Sequence, residues 1–159
     1  MSRSIREATS RDMPALVRLL HESNVFHWNA LPDHFGDPGE PVRGEKYVKH
    51  LLDEENGVIL VAEQDSVVVG LVQLAVFDER SGPHPRRRPH AKIGDIVVTA
   101  EHRRTGIGRA LIAAANDWAE ARGAAEIELE VWDFNRDAIG LYESLGYQTT
   151  NRTMRKPIG

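Results

Sequence analysis

Apolar positions along this chain follow two rhythms in alternation. A short run from Ser4 to Ala8, with Ile5 flanked by polar residues, reads as a first strand. The period then lengthens: Met13, Leu16, Val17, Leu19 and Leu20 fall on one helical face, and Thr9 or Ser10 supplies the N-cap. Asn29 to Gly44 has no period. Its Pro32, Gly36, Pro38, Gly39, Pro41 and Gly44 mark a long loop, the kind of segment that often carries function, and a second helix is predicted from about Glu45 to Glu55. Val58 to Glu63 and Val67 to Phe77 are β-rich runs either side of Gln64-Asp65-Ser66, which predicts an antiparallel hairpin. Ser81 to Pro89 breaks the pattern again with Pro83, Pro85, Pro89 and the run Arg86, Arg87, Arg88.

The second half is more regular. Lys92 to Thr99 reads as a strand, and the helix after Gly106 and Gly108 buries Leu111, Ile112, Ala115 and Trp118 before closing near Gly123. Ile127 to Trp132 is a further strand, Asn135 to about Ser144 a short helix, and Tyr147 to about Met154 a last strand. The order β α α β β β α β α β predicts an α/β chain, a mixed sheet flanked by helices whose C-terminal half contains a right-handed strand-helix-strand crossover. A length of 159 residues suits one domain over residues 1–159.

Composition narrows the chemistry. With no cysteine, disulfides, a thiolate zinc site and a cysteine nucleophile are all excluded. The net charge of -4 supplies no domain-wide basic field, so nucleic acid is not an expected partner. Met1 to Arg11 holds no apolar signal-like stretch and no apolar run is long enough to span a bilayer, so the expectation is a soluble, cytoplasmic protein with no membrane partner. The seven histidines show no His-x-x-x-His spacing, and no metal is expected.

Two motifs carry the functional reading. Arg103-Arg104-Thr105-Gly106-Ile107-Gly108-Arg109-Ala110 lies between an apolar strand and an amphipathic helix. Glycines there permit close backbone approach, and the free N–H groups and positive dipole end of a helix favour an anion such as a pyrophosphate; alone, the same glycines also make an ordinary tight turn. No lysine follows Gly108 as a Walker loop requires, and the dinucleotide fingerprint lacks its third glycine position. The second motif is Leu129-x-Val131-x-x-x-Asn135-x-x-Ala138-x-x-x-Tyr142-x-x-x-Gly146-Tyr147. Arg103, Gly106 and Gly108 together resemble the acyl-CoA loop of the GNAT superfamily of acetyltransferases, and Asn135 to Tyr147 resembles that family's second block, in the usual order and separation.

The resemblance is detailed from about Lys92 to Met154 and looser elsewhere. It implies the GNAT fold: a central, mostly antiparallel mixed sheet of six to seven strands with about four helices. It implies N-acetyl transfer from acetyl-CoA to a primary amine of a small molecule or protein, by direct attack in a ternary complex. On this basis Arg103, Arg104, Thr105, Gly106, Ile107, Gly108, Arg109 and Ala110 surround the pyrophosphate. Ile96, Val97 and Val98 hold the pantetheine arm and offer an N–H near Val97 to the developing oxyanion, while Asn135 and Ala138 contact the cofactor side. Tyr142 sits near the sulfur as general acid. Asp95 is a candidate base, with His90, Glu130 and an ordered water chain as rivals; the position that carries a glutamate base in the histone-modifying branch is Lys92 here, and Ala100 stands where many relatives have proline.

Structural roles compete at several of these positions. Asn135 also suits an N-cap, Tyr142 a packed helical aromatic, Asp95 an arginine partner, and Arg86 to Arg88 a solvated loop. Phe26, His27, Trp28, Leu31, Pro32 and Phe35 form an aromatic cluster assigned to the early loop, where it serves an acceptor pocket, the core or a dimer contact. Exposed sheet edges make a homodimer the expected assembly. A catalytically idle acyl-CoA-binding module and a protein-interaction subunit are the competing functions.

Overall fold

The computed structural model describes residues 2–159. After β1 (Arg3–Glu7), Thr9 starts a single 3-10 turn, accepting from Arg11 N while the Asp12 carboxylate accepts from Thr9 N at 2.8 Å. This reciprocal cap launches α1 (Met13–Ala30). There follow α2 (Glu45–Leu52), β2 (Gly57–Gln64), β3 (Val67–Phe77), β4 (His90–Val98), α3 (Ile107–Ala121), β5 (Glu126–Leu129) and α4 (Arg136–Ser144). The sheet order is β1-β2-β3-β4-β5, antiparallel throughout except for the parallel β4–β5 pair that α3 connects.

Alternation along β2 sends Ile59 and Val61 to one face and Leu60 and Ala62 to the other. Each face builds its own core: α1 and α2 cover the first with Leu16, Leu19, Leu20, Val48 and Leu51, and α3 covers the second with Ile107, Leu111, Ala115 and Ala119. A bulge opposite Ala62/Glu63 leaves Val69 as the extra residue of β3. Next to it, Gly70 lets α3 lie close: a β-carbon there would stand 3.0 Å from the Val97 carbonyl and 3.2 Å from Leu111. On the β1 edge strand Arg6 holds Asp12 through two 2.9 Å hydrogen bonds and Glu63 through two more at 2.8 and 3.2 Å.

Four expectations need correction. The sheet has five strands among the described residues, not six to seven, because the predicted strand Tyr147 to Met154 pairs with nothing. Gln148 to Thr153 is polar at every position, so it has no apolar side to bury, and its threonines alone do not make a strand. The strand predicted over Ile127 to Trp132 is Glu126–Leu129. Helix α1 runs to Ala30, carrying Phe26, His27 and Trp28 on the helix instead of in the loop, since nothing before Pro32 interrupts it. Helix α2 ends at Leu52, short of Glu55. Among the described residues no helix is long and apolar enough to cross a membrane.

Candidate functional site

The site originates where two strands part. Strands β4 and β5 pair from His90↔Glu126 to Ile93↔Leu129, and the ladder stops there. On its other edge β4 stays bound to β3, with Gln73 opposite Asp95 and Leu74 opposite Ile93, so Gly94 is a bulge residue that bends β4 at the parting point. A cavity of about 670 Å³ opens between Gly94–Ile96 on one side and Glu130–Trp132 on the other. Helix α4 contributes Tyr142, and its N-cap Asn135, to this cavity; α1 contributes Ser23, Asn24 and His27, and the loop before α2 contributes Phe35 to Pro38, Val42 and Arg43.

Backbone alternation says which β4 groups face the gap. Thr99 N–H donates to Val69 O of β3 at 2.9 Å, so the N–H of Val97, two residues back, also points to β3. Those of Ile96 and Val98 point to the open edge. Around Val97, then, the N–H groups that face the gap are those of Ile96 and Val98. The outward Val98 carbonyl accepts from Arg103 Nε at 3.1 Å.

Next to this edge the glycine loop turns into α3. Arg104 (φ +60°) and Gly106 (φ +87°) are both left-handed, and the first helical bond is Ala110 N to Gly106 O at 3.0 Å. The six successive N–H groups of Arg104 to Arg109 have no partner among the described residues, as a helix start and the turn before it dictate. Gly108 packs between Leu141 and Val98. The loop is latched to α1 by Glu22, whose carboxylate accepts from Ala100 N at 2.8 Å and Thr99 Oγ1 at 3.2 Å. Arg103 lies 3.5 Å from the same carboxylate and over the Phe26 ring, so its guanidinium faces α1. Arg104 pairs with Asp137 and Arg109 with Ser144 on the exposed surface, contacts that hold these side chains weakly.

Tyr142 is buried to 8% exposure and its ring lies 5.8 Å from that of Tyr147. Burial, with a smaller contribution from Tyr147, pushes its phenol up to about 12. Asn135 accepts from Ala138 N at 3.4 Å, so it caps α4 and lines the cavity at once. Its Nδ2 group takes no part in that cap.

Asp95 reaches the cavity but is bound: Arg43 Nη1 donates to it at 2.5 Å, while Arg43 Nη2 donates to Leu20 O at 3.1 Å and Asn24 Oδ1 at 2.9 Å. One guanidinium thus ties the loop to α1 and β4. Of the rival bases, Glu130 lines the cavity and accepts from Lys92 Nζ at 3.0 Å, whereas buried His90 stacks on Phe77 away from it. Rings wall the cavity near α1: His27 and Trp132 each contact Phe35, with centroids 5.6 and 5.0 Å apart. Arg43, Asn24 and Glu22 carry no local sequence signal, and His27 stands out in the sequence only as one member of an aromatic cluster.

Residues 24–147 match the model of the Acetyltransferase (GNAT) family. The chain is 30% identical over 146 residues to YhfO of Bacillus subtilis, an uncharacterised N-acetyltransferase, covering 91% of this chain and 89% of that one. It is 28% identical over 144 residues to the [ribosomal protein bS18]-alanine N-acetyltransferase of Escherichia coli, covering 91% and 80%. Among solved structures, a mutant of the BH1408 protein from Bacillus halodurans superposes with a TM-score of 0.91 at 28% identity, covering 98% of this chain and 99% of that one. An aminoglycoside acetyltransferase from an uncultured soil metagenomic sample, solved with sisomicin, shares the fold with a TM-score of 0.73 at 21% identity, covering 99% and 95%.

Proposed function

The chain belongs to the acetyltransferase (GNAT) family, and we propose that it moves an acetyl group from acetyl-CoA directly to a primary amine bound in the same cavity. The observation that carries this reading is one arrangement: an open β4 edge and a buried phenol line a single cavity, and a run of free N–H groups begins beside the same strand, where Gly108 packs against Val98. The residues present fit the co-substrate. Free amides at a helix start suit a pyrophosphate, and the outward amide groups of Ile96 and Val98 suit an extended amide-bearing arm. When bound, acetyl-CoA supplies an activated acyl group on a good leaving sulfur.

The chain's own groups then divide the work. The N–H groups of Arg104 to Arg109 bind the phosphates. Ile96 or Val98 N–H donates where the carbonyl oxygen gains charge, an effect worth about 3 kcal/mol of barrier. Asn135 orients the arm from the α4 side. Tyr142, kept neutral by burial, donates its proton toward the departing sulfur. Asp95 holds Arg43 and so shapes the acceptor wall. A homodimer, closing the β1 or β5 edge, belongs to the same reading.

Free thiol release from acetyl-CoA, followed with butane-1,4-diamine, an alanyl peptide and an aminoglycoside, tests the proposal. Release that requires one of these amines, and is lost when Gly108 is replaced by tryptophan, supports it. Acetyl-CoA binding without amine-dependent release would make the chain an idle acyl-CoA-binding module instead.

A further inference from the structure

The reaction needs a base, because an ammonium has no lone pair to attack with. The groups first suggested by the motifs are poorly placed for the task. Asp95 is committed to Arg43 at 2.5 Å, His90 stands outside the cavity, and Glu130 is 85% exposed and paired with Lys92.

From the geometry we infer that His27 is this base, an assignment that rests on the acetyltransferase reading above. His27 Nδ1 lies 2.7 Å from Ser23 O, one turn back on α1. A carbonyl can only accept, so Nδ1 carries the hydrogen and the lone pair of the neutral ring resides on Nε2. Nε2 has no partner among the described residues and is not one of their buried unpartnered atoms, so it is open to solvent on a side chain that lines the cavity. The ring is fixed edge-on against Phe26 and Phe35, with centroids 5.4 and 5.6 Å away, and meets Phe134 at 6.0 Å. A rigid ring with its tautomer set by a backbone carbonyl is what general-base work requires. His27 also sits in the last turn of α1, where the helix dipole accommodates a cation.

The charged and titratable groups that share this cavity are the Arg43–Asp95 pair, Asp37 of the loop, Glu130 after β5 and the neutral Tyr142 of α4; Arg103 lies behind Phe26 and His34 behind Phe35. Protons balance as follows. The acceptor ammonium loses one to His27 Nε2, its freed lone pair forms the N–C bond, and the C–S bond breaks with its electrons on sulfur. The nitrogen's second proton replaces the one Tyr142 gives to sulfur, by way of solvent, and the His27 imidazolium returns its proton to water. An ordinary structural histidine, bonded to its own helix and packed among rings, would share the contacts but not this proton traffic.

The test compares kcat/KM across pH for the parent, His27→Ala and His27→Gln with two acceptors: the best amine of the panel, and methoxyamine, whose nitrogen is uncharged near neutral pH. The inference expects both variants to lose about 100-fold with the panel amine but less than about threefold with methoxyamine. It also expects the acid limb to lose one proton, imidazole to restore His27→Ala, and the KM for acetyl-CoA and the melting temperature to hold. Equal losses with both acceptors, or an acid limb that survives in both variants and disappears in Glu130→Gln, would overturn it. If the parent binds acetyl-CoA but acetylates neither acceptor, the acetyltransferase reading itself fails and His27 falls with it; transfer that ignores His27 removes only this inference.

Discussion

Tyr142→Phe removes one oxygen from the cavity wall and leaves the ring. The phenol has been pushed up to about 12, against an ordinary thiol near 8.5. Complete transfer to a water-solvated thiolate would therefore run uphill by about 3.5 in pKa, roughly 5 kcal/mol. The same desolvation that raises Tyr142 also raises the proton affinity of a sulfur leaving inside the cavity, which narrows the gap. The phenol thus acts late, as charge collects on sulfur, and its contribution falls at the lower end of general-acid effects: kcat and kcat/KM should both drop about 100-fold. Steady-state thiol release at saturating acetyl-CoA measures this, with the melting temperature as control for folding. Because Tyr142 stays protonated at ordinary pH, the parent should show no alkaline limb from this group below about pH 10. In stability terms the folded value lies above the unfolded one, so the contribution is full below about pH 10 and is lost as pH rises toward 12. A variant within threefold of the parent, or an alkaline limb below pH 10 that the phenylalanine abolishes, would rule out Tyr142 as this acid.

Four further substitutions probe the rest of the frame. Asp12 is held well below the usual carboxylate range, chiefly by Arg6, so its stabilisation is present above that range and is lost as pH falls through the depressed folded value. Asp12→Asn should cost about 1–2 kcal/mol at neutral pH, discounted because Arg6 is partly open to water, and flatten the acid side of a denaturation-versus-pH curve. Arg43→Met leaves the Asp95 carboxylate, 14% exposed, without its partner and should cost about 3 kcal/mol in chemical denaturation, whereas Asp95→Asn keeps an acceptor for Arg43 and should hold kcat within tenfold. A larger kcat loss in Asp95→Asn would restore Asp95 as the base. Gly106→Ala forces a β-carbon to φ +87°, costs about 1–2 kcal/mol, and should raise the KM for acetyl-CoA more than that for the amine.

How far the sequence disclosed this arrangement depends on the range of the signal. The glycine loop, α3 and the Asn135 cap are local: a strand, a turn needing left-handed backbone and an amphipathic helix follow one another, and each formed where its pattern lay. The hairpin of β2 and β3 was equally legible from two apolar runs around Asp65 and Ser66. The last strand is not legible: Gln148 to Thr153 has no apolar side to mark a buried face, and the segment pairs with no strand among the described residues. Arg43 was invisible for another reason: its meaning comes from Asp95, 52 residues away, and from a Leu20 carbonyl that no side-chain pattern reveals. His27 carries no sequence signal beyond its aromatic neighbours, because the bond that fixes its tautomer uses the backbone of Ser23. The opening of β4 from β5 needs the Gly94 bulge, which appears only once the β3 register is known.

Where the acetyl group goes is measured by supplying acetyl-CoA labelled in its acetyl carbon together with the amine panel, and following the label by mass spectrometry beside a free-thiol assay. Label is expected on the nitrogen of one amine class in amounts equal to the thiol released, and none when Gly108 is replaced by tryptophan. Thiol release with the label recovered as acetate, or no release from a chain that folds and binds acetyl-CoA, would contradict acetyl transfer to an amine.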